Sequence, residues 1–326
     1  MRKGLFLSFL FLLVLVYAIP AFAKETKLNY RLKWLFNVSV AGDIYADAQG
    51  YFKDAGLSVN VKEGSPEKNA INELELKRAS FGVASADQVI RALDKGANIF
   101  VIAQLFQVNP MQWIYRTDQP EIKTLQDLRG RNIGITFGGN DETIMNTLFA
   151  KAGIGKKDVT ITGVRFDFTP FFRKKVNVWP VYRNSQGVIL RDKLAKEGED
   201  VYFLNPASFG VNFVANSVIT SKVMLKNNPD IVEKFLTALL KGWESAMDPA
   251  NEETALKIVK KMDKGTSDEI RRKQLNATRI LIKPSASLKI GTIDINAWKQ
   301  TETILLKDKQ IKKLVNIETR LIQIRQ

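Results

Sequence analysis

The hydrophobic period of this chain changes twice between Leu28 and Gly64, and few folds accommodate that change. Leu28, Tyr30, Leu32 and Trp34 alternate with polar or basic residues, the pattern of a strand buried on one face, and the strand stops at Asn37. From Val40 the residues Ile44, Ala48, Tyr51 and Phe52 follow at helical spacing as far as Gly56, which reads as one amphipathic helix with a glycine stop. Leu57 to Lys62 reads as a second strand. A right-handed crossover makes the two strands parallel. Ligands of such sheets sit beyond the carboxyl ends of the strands, where Trp34, Phe36 and Asn37 fall.

The alternation continues, so the fold class is α/β. Ser65-Pro66 is expected to open a helix to about Arg78, followed by a short strand at Ser80 to Ala84. A Ser85–Gln88 capping box should start a helix closed by Gly96. The apolar run from Ile99 to Phe106 has the composition of an inner parallel strand. The pattern breaks at Asn109-Pro110. A second series then gives strands at Met111 to Arg116, Asn132 to Thr136, Val159 to Gly163, Val176 to Val181 and Val201 to Leu204, with helices at about 124–129, to Ala152, and from Ser185 to Lys196. After Gly210 come one strand, Val211 to Thr220, and helices near 229–247, 250–262, 267–281 and 294–307. Helices cannot complete a lobe by themselves, so the economical arrangement returns the chain to the first lobe. Lobe 1 would comprise 24–108 plus 210–326 and lobe 2 109–209, with two crossings near 107–112 and 205–211 acting as a hinge.

The first residues read as an export signal. Arg2 and Lys3 precede an apolar run from Leu5 to Tyr17, and Ala21-Phe22-Ala23 is an A-x-A cleavage site; the competing reading is an uncleaved membrane anchor. Cleavage after Ala23 removes Arg2 and Lys3, taking the 49 basic residues to 47 against 34 acidic, a net charge of +13. Those charges are spread thinly and match no nucleic-acid-binding pattern, so they read as a solvated surface. The chain has no Cys and no His. Disulfides, thiolate or imidazole metal sites and His-based acid–base catalysis are therefore unavailable to it, and binding is the better expectation than turnover. No cofactor or metal is expected.

Several residues are candidates for ligand contact. Gly138, Gly139 and Asn140 lie where a strand turns into a helix, and free N–H groups there could hold an anion or a polar edge, although Asp141 and Glu142 already complement the helix dipole. The stretch matches neither the Walker A nor the dinucleotide pattern. Trp179, Tyr182, Asn184, Ser185 and Gln186 put aromatic faces beside amide and hydroxyl groups at the end of a second-lobe strand, which suits a flat heterocycle. Trp34 and Asn37 would offer the opposing face. Asp87, after the third strand, reads equally well as a helix-cap residue, and Trp179 equally well as core.

The segment KWLFNVSVAGDIYADAQGYFKDAGLSVNV, with Tyr51-Phe52-Lys53 and Gly56-Leu57 its most characteristic piece, resembles the opening of the ABC-importer solute-binding proteins related to thiamine-pyrimidine synthase and to the nitrate, sulfonate and taurine binders. The resemblance continues through GGNDET near 140 and NPASFGVNF near 210. It implies a two-lobe periplasmic-binding type II fold with two hinge strands, a periplasmic address, a monomer, and a permease and ATPase as partners; nucleic acid is not expected. The fungal synthase consumes an active-site His and needs a Cys-rich motif. This chain has Gln88 and Val211-Asn212-Phe213-Val214-Ala215 at those places, so synthase chemistry is not expected.

Among bacterial relatives, the thiamine-precursor binders resemble the chain most, through GGNDET, Trp179-Pro180-Val181-Tyr182 and Pro206 to Phe213. The departures are Asn177, where many relatives have Asp, and Ser185-Gln186-Gly187, where they have Asn-Glu-Pro. The resemblance implies a binder of an aminopyrimidine, and the departures leave open a different flat heterocycle or an organic anion. The alternatives are another small solute (sulfonate, nitrate, taurine or a flavin), a sensor or interaction protein, and last a degenerate synthase.

Overall fold

The computed structural model describes residues 26–324. The expected export signal lies outside the described residues. Among the described residues, ten strands form a five-stranded sheet, a three-stranded sheet and a two-stranded parallel pair. We number them β1 (Thr26–Arg31), β2 (Leu57–Lys62), β3 (Phe81–Ala84), β4 (Ile99–Gln104), β5 (Met111–Arg116), β6 (Asn132–Ile135), β7 (Thr160–Gly163), β8 (Trp179–Tyr182), β9 (Val201–Leu204) and β10 (Ser217–Ser221).

The first sheet has the order β2-β1-β3-β10-β4. β1 pairs in parallel with β2 from Thr26↔Leu57 to Arg31↔Lys62, as the strand–helix–strand reading requires. β10 runs antiparallel between β3 and β4, so the chain does return to this sheet after the second one. The second sheet orders β8-β5-β9, all antiparallel. The parallel pair β6–β7 is tied to it through the Gly134 N–H, which donates to the Val178 carbonyl at 2.8 Å.

Five expectations need correction. The helix expected from Val40 to Gly56 is a 3-10 turn (Val38–Val40) and two helices, Ala41–Ala48 and Tyr51–Asp54. The break falls at Gly50, whose φ of 76° is left-handed and open to glycine without a steric penalty. The helix expected from Ser65 covers only Ala70–Glu75 and is capped by Asn69, whose Oδ1 accepts from the Asn72 N–H. β4 is not an inner parallel strand. It is the last strand of its sheet and antiparallel to β10, and its far edge is covered by the C-terminal segment, where the Ile322 N–H donates to the Val101 carbonyl. Such cover makes an edge strand as apolar as an inner one. The strand expected from Val211 begins only at Ser217, and the strand expected from Val176 begins only at Trp179.

The later helices are Pro229–Met247, Glu252–Met262, Asp268–Ile282 and Ile295–Lys307. The first of these opens with proline at its first position and buries Phe235, Leu239 and Trp243 against the first sheet and the helix Ala41–Ala48. The helix Asp268–Ile282 does more than cover the first sheet, because it also packs against Gln186–Lys196 of the second. This is a two-lobe α/β architecture, with a cleft between the carboxyl ends of the first sheet and the second.

Candidate functional site

The cleft encloses a cavity of about 500 Å³. From the first sheet its wall is the loop Lys33–Asn37, which continues β1 past its last ladder bond. This loop is held by Leu32 N–H to the Lys62 carbonyl (2.8 Å) and Gly64 N–H to the Trp34 carbonyl (3.0 Å). A Cβ on Gly64 would stand 2.0 Å from the Leu32 carbonyl oxygen, so the loop lies against a residue that has to lack a side chain. From the second sheet the wall is the Gly138–Asn140 turn, β8, Ser185 and Gln186.

A chain of hydrogen bonds crosses the floor. Lys33 Nζ donates to Asn140 Oδ1 (2.9 Å) and to the Tyr182 hydroxyl (2.7 Å), which donates to Asn216 Oδ1 (3.0 Å). The first-sheet ammonium is thus held by two side chains of the second. Burial lowers the Lys33 pKa to about 8, opposed by the charges of Asp87 and Asp141. Burial likewise raises the Asp141 carboxyl to about 7, opposed by the bond it accepts from the Thr136 N–H and by Lys33. Asn140 Nδ2 is buried without a partner among the described residues, a donor that a bound molecule could satisfy.

The aromatic contact across the mouth is Trp34 with Phe166, ring centroids 5.0 Å apart at 45°. Around it the two sheets are bridged by polar groups. Arg91 donates to Thr143 Oγ1 (2.6 Å), Gln88 Nε2 to the Gly138 carbonyl (3.3 Å), and Gln274 Nε2 to the Ser185 carbonyl (3.1 Å). Closed around an aromatic-lined cavity, the two halves can desolvate a small molecule on both faces.

A family model described as NMT1/THI5 like matches residues 37–252, about two thirds of the chain. The chain belongs to the NMT1/THI5-like family. Among curated relatives, it is similar to a putative thiamine biosynthesis protein of Haemophilus influenzae, at 23% identity over 75% of each chain. It is also similar to the riboflavin-binding protein RibY of Chloroflexus aurantiacus, at 28% identity over 65% of this chain and 60% of that one. Among solved structures it resembles the periplasmic aliphatic sulphonate binding protein SsuA of Escherichia coli, with a TM-score of 0.71, 14% identity, and 93% of this chain and 94% of that one covered. At that identity the likeness is one of fold: a periplasmic-binding-protein fold.

Within this NMT1/THI5-like chain, nine sequence candidates meet at the cavity: Trp34, Asn37, Gly138, Gly139, Asn140, Trp179, Tyr182, Ser185 and Gln186. Their offerings differ from the expectation. Asn37 has both polar atoms engaged, accepting from the Ser39 N–H and donating to the Leu35 carbonyl. Trp179 is 1% exposed and packs on Phe168 and Phe171, so little of its surface is left for a ligand. The Gly138–Gly139 turn does not present free donors. Glu142 accepts from the Gly138 N–H (2.8 Å), and the Thr136 carbonyl accepts from the Gly139 N–H (2.8 Å). The acidic first turn folds back and occupies the anion's place.

Asp87 and Asn184 stand outside the cavity wall. Asp87 is fully buried behind it, with neither oxygen hydrogen-bonded among the described residues; the helix is capped by the expected Ser85–Gln88 box and not by Asp87. Asn184 is also fully buried, and its Nδ2 donates to Ser39 Oγ (3.1 Å) and Thr278 Oγ1 (2.8 Å), joining the sheets. Sequence reasoning missed Lys33, Phe166 and Asn216. The available signal for Lys33 was a lone cation between Leu32 and Trp34, at the end of the first strand.

Proposed function

We propose that this chain is an extracytoplasmic solute receptor of an ABC importer that closes its lobes, 24–108 with 210–326 and 109–209, around a flat nitrogen heterocycle. A thiamine pyrimidine precursor is the leading ligand. The observation that carries the reading is the cavity of about 500 Å³ between the sheets, in which Trp34 faces Phe166 above the Lys33–Asn140–Tyr182–Asn216 line. The size and lining suit a small aromatic molecule fixed by a few polar groups. Gln186 adds a donor: its Oε1 accepts from the Tyr182 N–H and the Ser185 hydroxyl, which leaves Nε2 for a ring nitrogen or carbonyl.

Both curated relatives are named for vitamins with flat ring systems, which supports the heterocycle over a sulfonate. The occupied donors of the Gly138–Gly139 turn point the same way. A chain with no His and no Cys favours binding over turnover. Export to the periplasm, a monomeric state, and a permease with its ATPase as partners complete the proposal.

Closure is a population shift: a ligand touching both sheets favours the closed form by its differential affinity. A thermal-shift screen of the purified chain against thiamine, its pyrimidine precursors, riboflavin, taurine, alkanesulfonates and nitrate tests the reading. A ligand at about a hundred times its Kd adds about 2.7 kcal/mol. The expected result is a saturable shift with a pyrimidine. A shift with a sulfonate or nitrate alone would move the assignment to an anion binder, and riboflavin alone to a flavin binder.

A further inference from the structure

Two cavities meet at the end of β8. Tyr182 faces the one between the sheets, and the next residue, Arg183, faces a second, of about 610 Å³, behind the crossings. Both connections between the sheets line this rear cavity, through Gln107–Asn109 on one side and Asn205, Pro206 and Val211–Val214 on the other. The Arg183 backbone is fixed, its N–H donating to the Pro110 carbonyl at 2.9 Å, so the side chain leaves from a ladder continuing β5 and β8.

Arg183 is partly buried. Its guanidinium has no hydrogen-bond or ion-pair partner among the described residues, and burial alone pushes its pKa below the ordinary value. Among the described arginines that are not exposed, it is the exception. Arg31 is paired with Glu73, Arg116 with Glu199, Arg131 with Gln119 and the Pro120 carbonyl, and Arg271 with Asp268. Burying a cation without a partner is unfavourable, and an arginine fork recognises carboxylates and oxyanions through two parallel bonds. Gln112 of β5 lies on the same wall, 5% exposed, with an amide that makes no hydrogen bond to the described residues. The acid on that wall, Asp294, caps the helix Ile295–Lys307 by accepting from the Ala297 N–H (3.0 Å) and forms no ion pair with Arg183.

We propose that this rear cavity is a second small-molecule site, distinct from the one between the sheets, and that it takes a small carboxylate or oxyanion on the Arg183 guanidinium with the Gln112 amide as second donor. The site does not depend on which solute fills the front cavity. Its walls include both crossings, so an occupant shares its surroundings with the segments that carry lobe closure.

The test is calorimetric titration of the purified chain with citrate, succinate and inorganic phosphate, with chloride holding ionic strength constant. The expected result is one saturable site for at least one of the three, weakened about tenfold or more in Arg183→Gln and about fivefold in Gln112→Ala. If a carboxylate binds and phosphate does not, the ligand is an organic acid; the reverse assigns an inorganic oxyanion. Should Arg183→Gln melt well below the parent chain, Arg183→Lys replaces it and is expected to bind about fivefold more weakly, because it keeps the charge but not the fork. No saturable site for any of the three anions, or undiminished binding by the arginine variant, would overturn the proposal.

Discussion

The helix pair on the first sheet and the contacts across the cleft are held together in opposite ways. On the first sheet, Ala41–Ala48 meets Pro229–Met247 at two glycines. A Cβ on Gly42 would lie 2.1 Å from a ring carbon of Trp243 and 2.6 Å from its Cα, and one on Gly242 would lie 2.5 Å from the Ala46 Cβ. Trp243 is fully buried there, and its Nε1 and the Tyr30 hydroxyl donate to Asp43 (3.3 and 2.6 Å). Across the cleft the contacts around the cavity are mostly polar: Asn184 with Ser39 and Thr278, Gln274 with Ser185, Arg91 with Thr143, Lys273 with Asp192. A close-packed interlock has no neighbouring arrangement to move to. Hydrogen bonds can be exchanged for bonds to water at a net cost of about 1 kcal/mol each. The first region keeps its shape, and the second can open.

The largest effect should come from breaking the interlock. Gly42→Ala forces the two helices apart and should lower unfolding stability by about 3 kcal/mol, read from urea unfolding at constant m-value; an unchanged midpoint would mean that the helices are not locked. Asn184→Ala, on the other side of the comparison, should lower stability by only about 1 kcal/mol. It should nevertheless weaken ligand binding about tenfold, because the bonds to Ser39 and Thr278 form only when the sheets meet. If both variants lose stability equally with no change in binding, the distinction between the regions fails.

A pH series separates the interlock further. Burial raises the Asp43 carboxyl from 3.8 to about 7, opposed by the bonds it accepts from Tyr30 and Trp243. Between about pH 4 and 7 the folded carboxyl keeps a proton that the unfolded one has lost. Its contribution is therefore full at low pH and fades as pH rises through 7. Asp43→Asn, which still accepts through Oδ1, should flatten that part of the stability–pH slope, and unfolding at pH 5 and 7.5 checks it. The smallest effect belongs to the rim. Arg165 and Glu67 bridge the sheets at 2.5 Å but are 65% and 50% exposed, so Arg165→Ala should change the melting free energy by less than about 0.5 kcal/mol.

Much of the first region was legible in the residues. The period change between Leu28 and Leu57 gave the parallel pair β1–β2, and the long apolar face from Pro229 to Met247 gave the covering helix, because both signals are local. The return of the chain to the first sheet followed from counting strands against helices. The site was legible only in part. Aromatic and amide residues at strand ends pointed to Trp34, Tyr182 and Gln186, but Lys33 meets Asn140 and Tyr182 across 107 and 149 residues, and nothing local announces such a partner. The Gly138–Gly139 turn misled for a related reason. In the sequence Asp141 and Glu142 complement the helix dipole, whereas in the structure they accept from the Thr136 and Gly138 N–H groups. β4 looked internal because its cover comes from near residue 322.

The most direct test of the account is an equilibrium titration of the purified chain and of Trp34→Ala with the aminopyrimidine precursor of thiamine. One saturable site per chain is expected, weakened by about tenfold or more when Trp34 no longer stacks against the ligand beside Phe166. Absence of binding by the parent chain, or equal binding by the variant, would contradict the claim that the cavity between the sheets is built to hold a flat heterocycle.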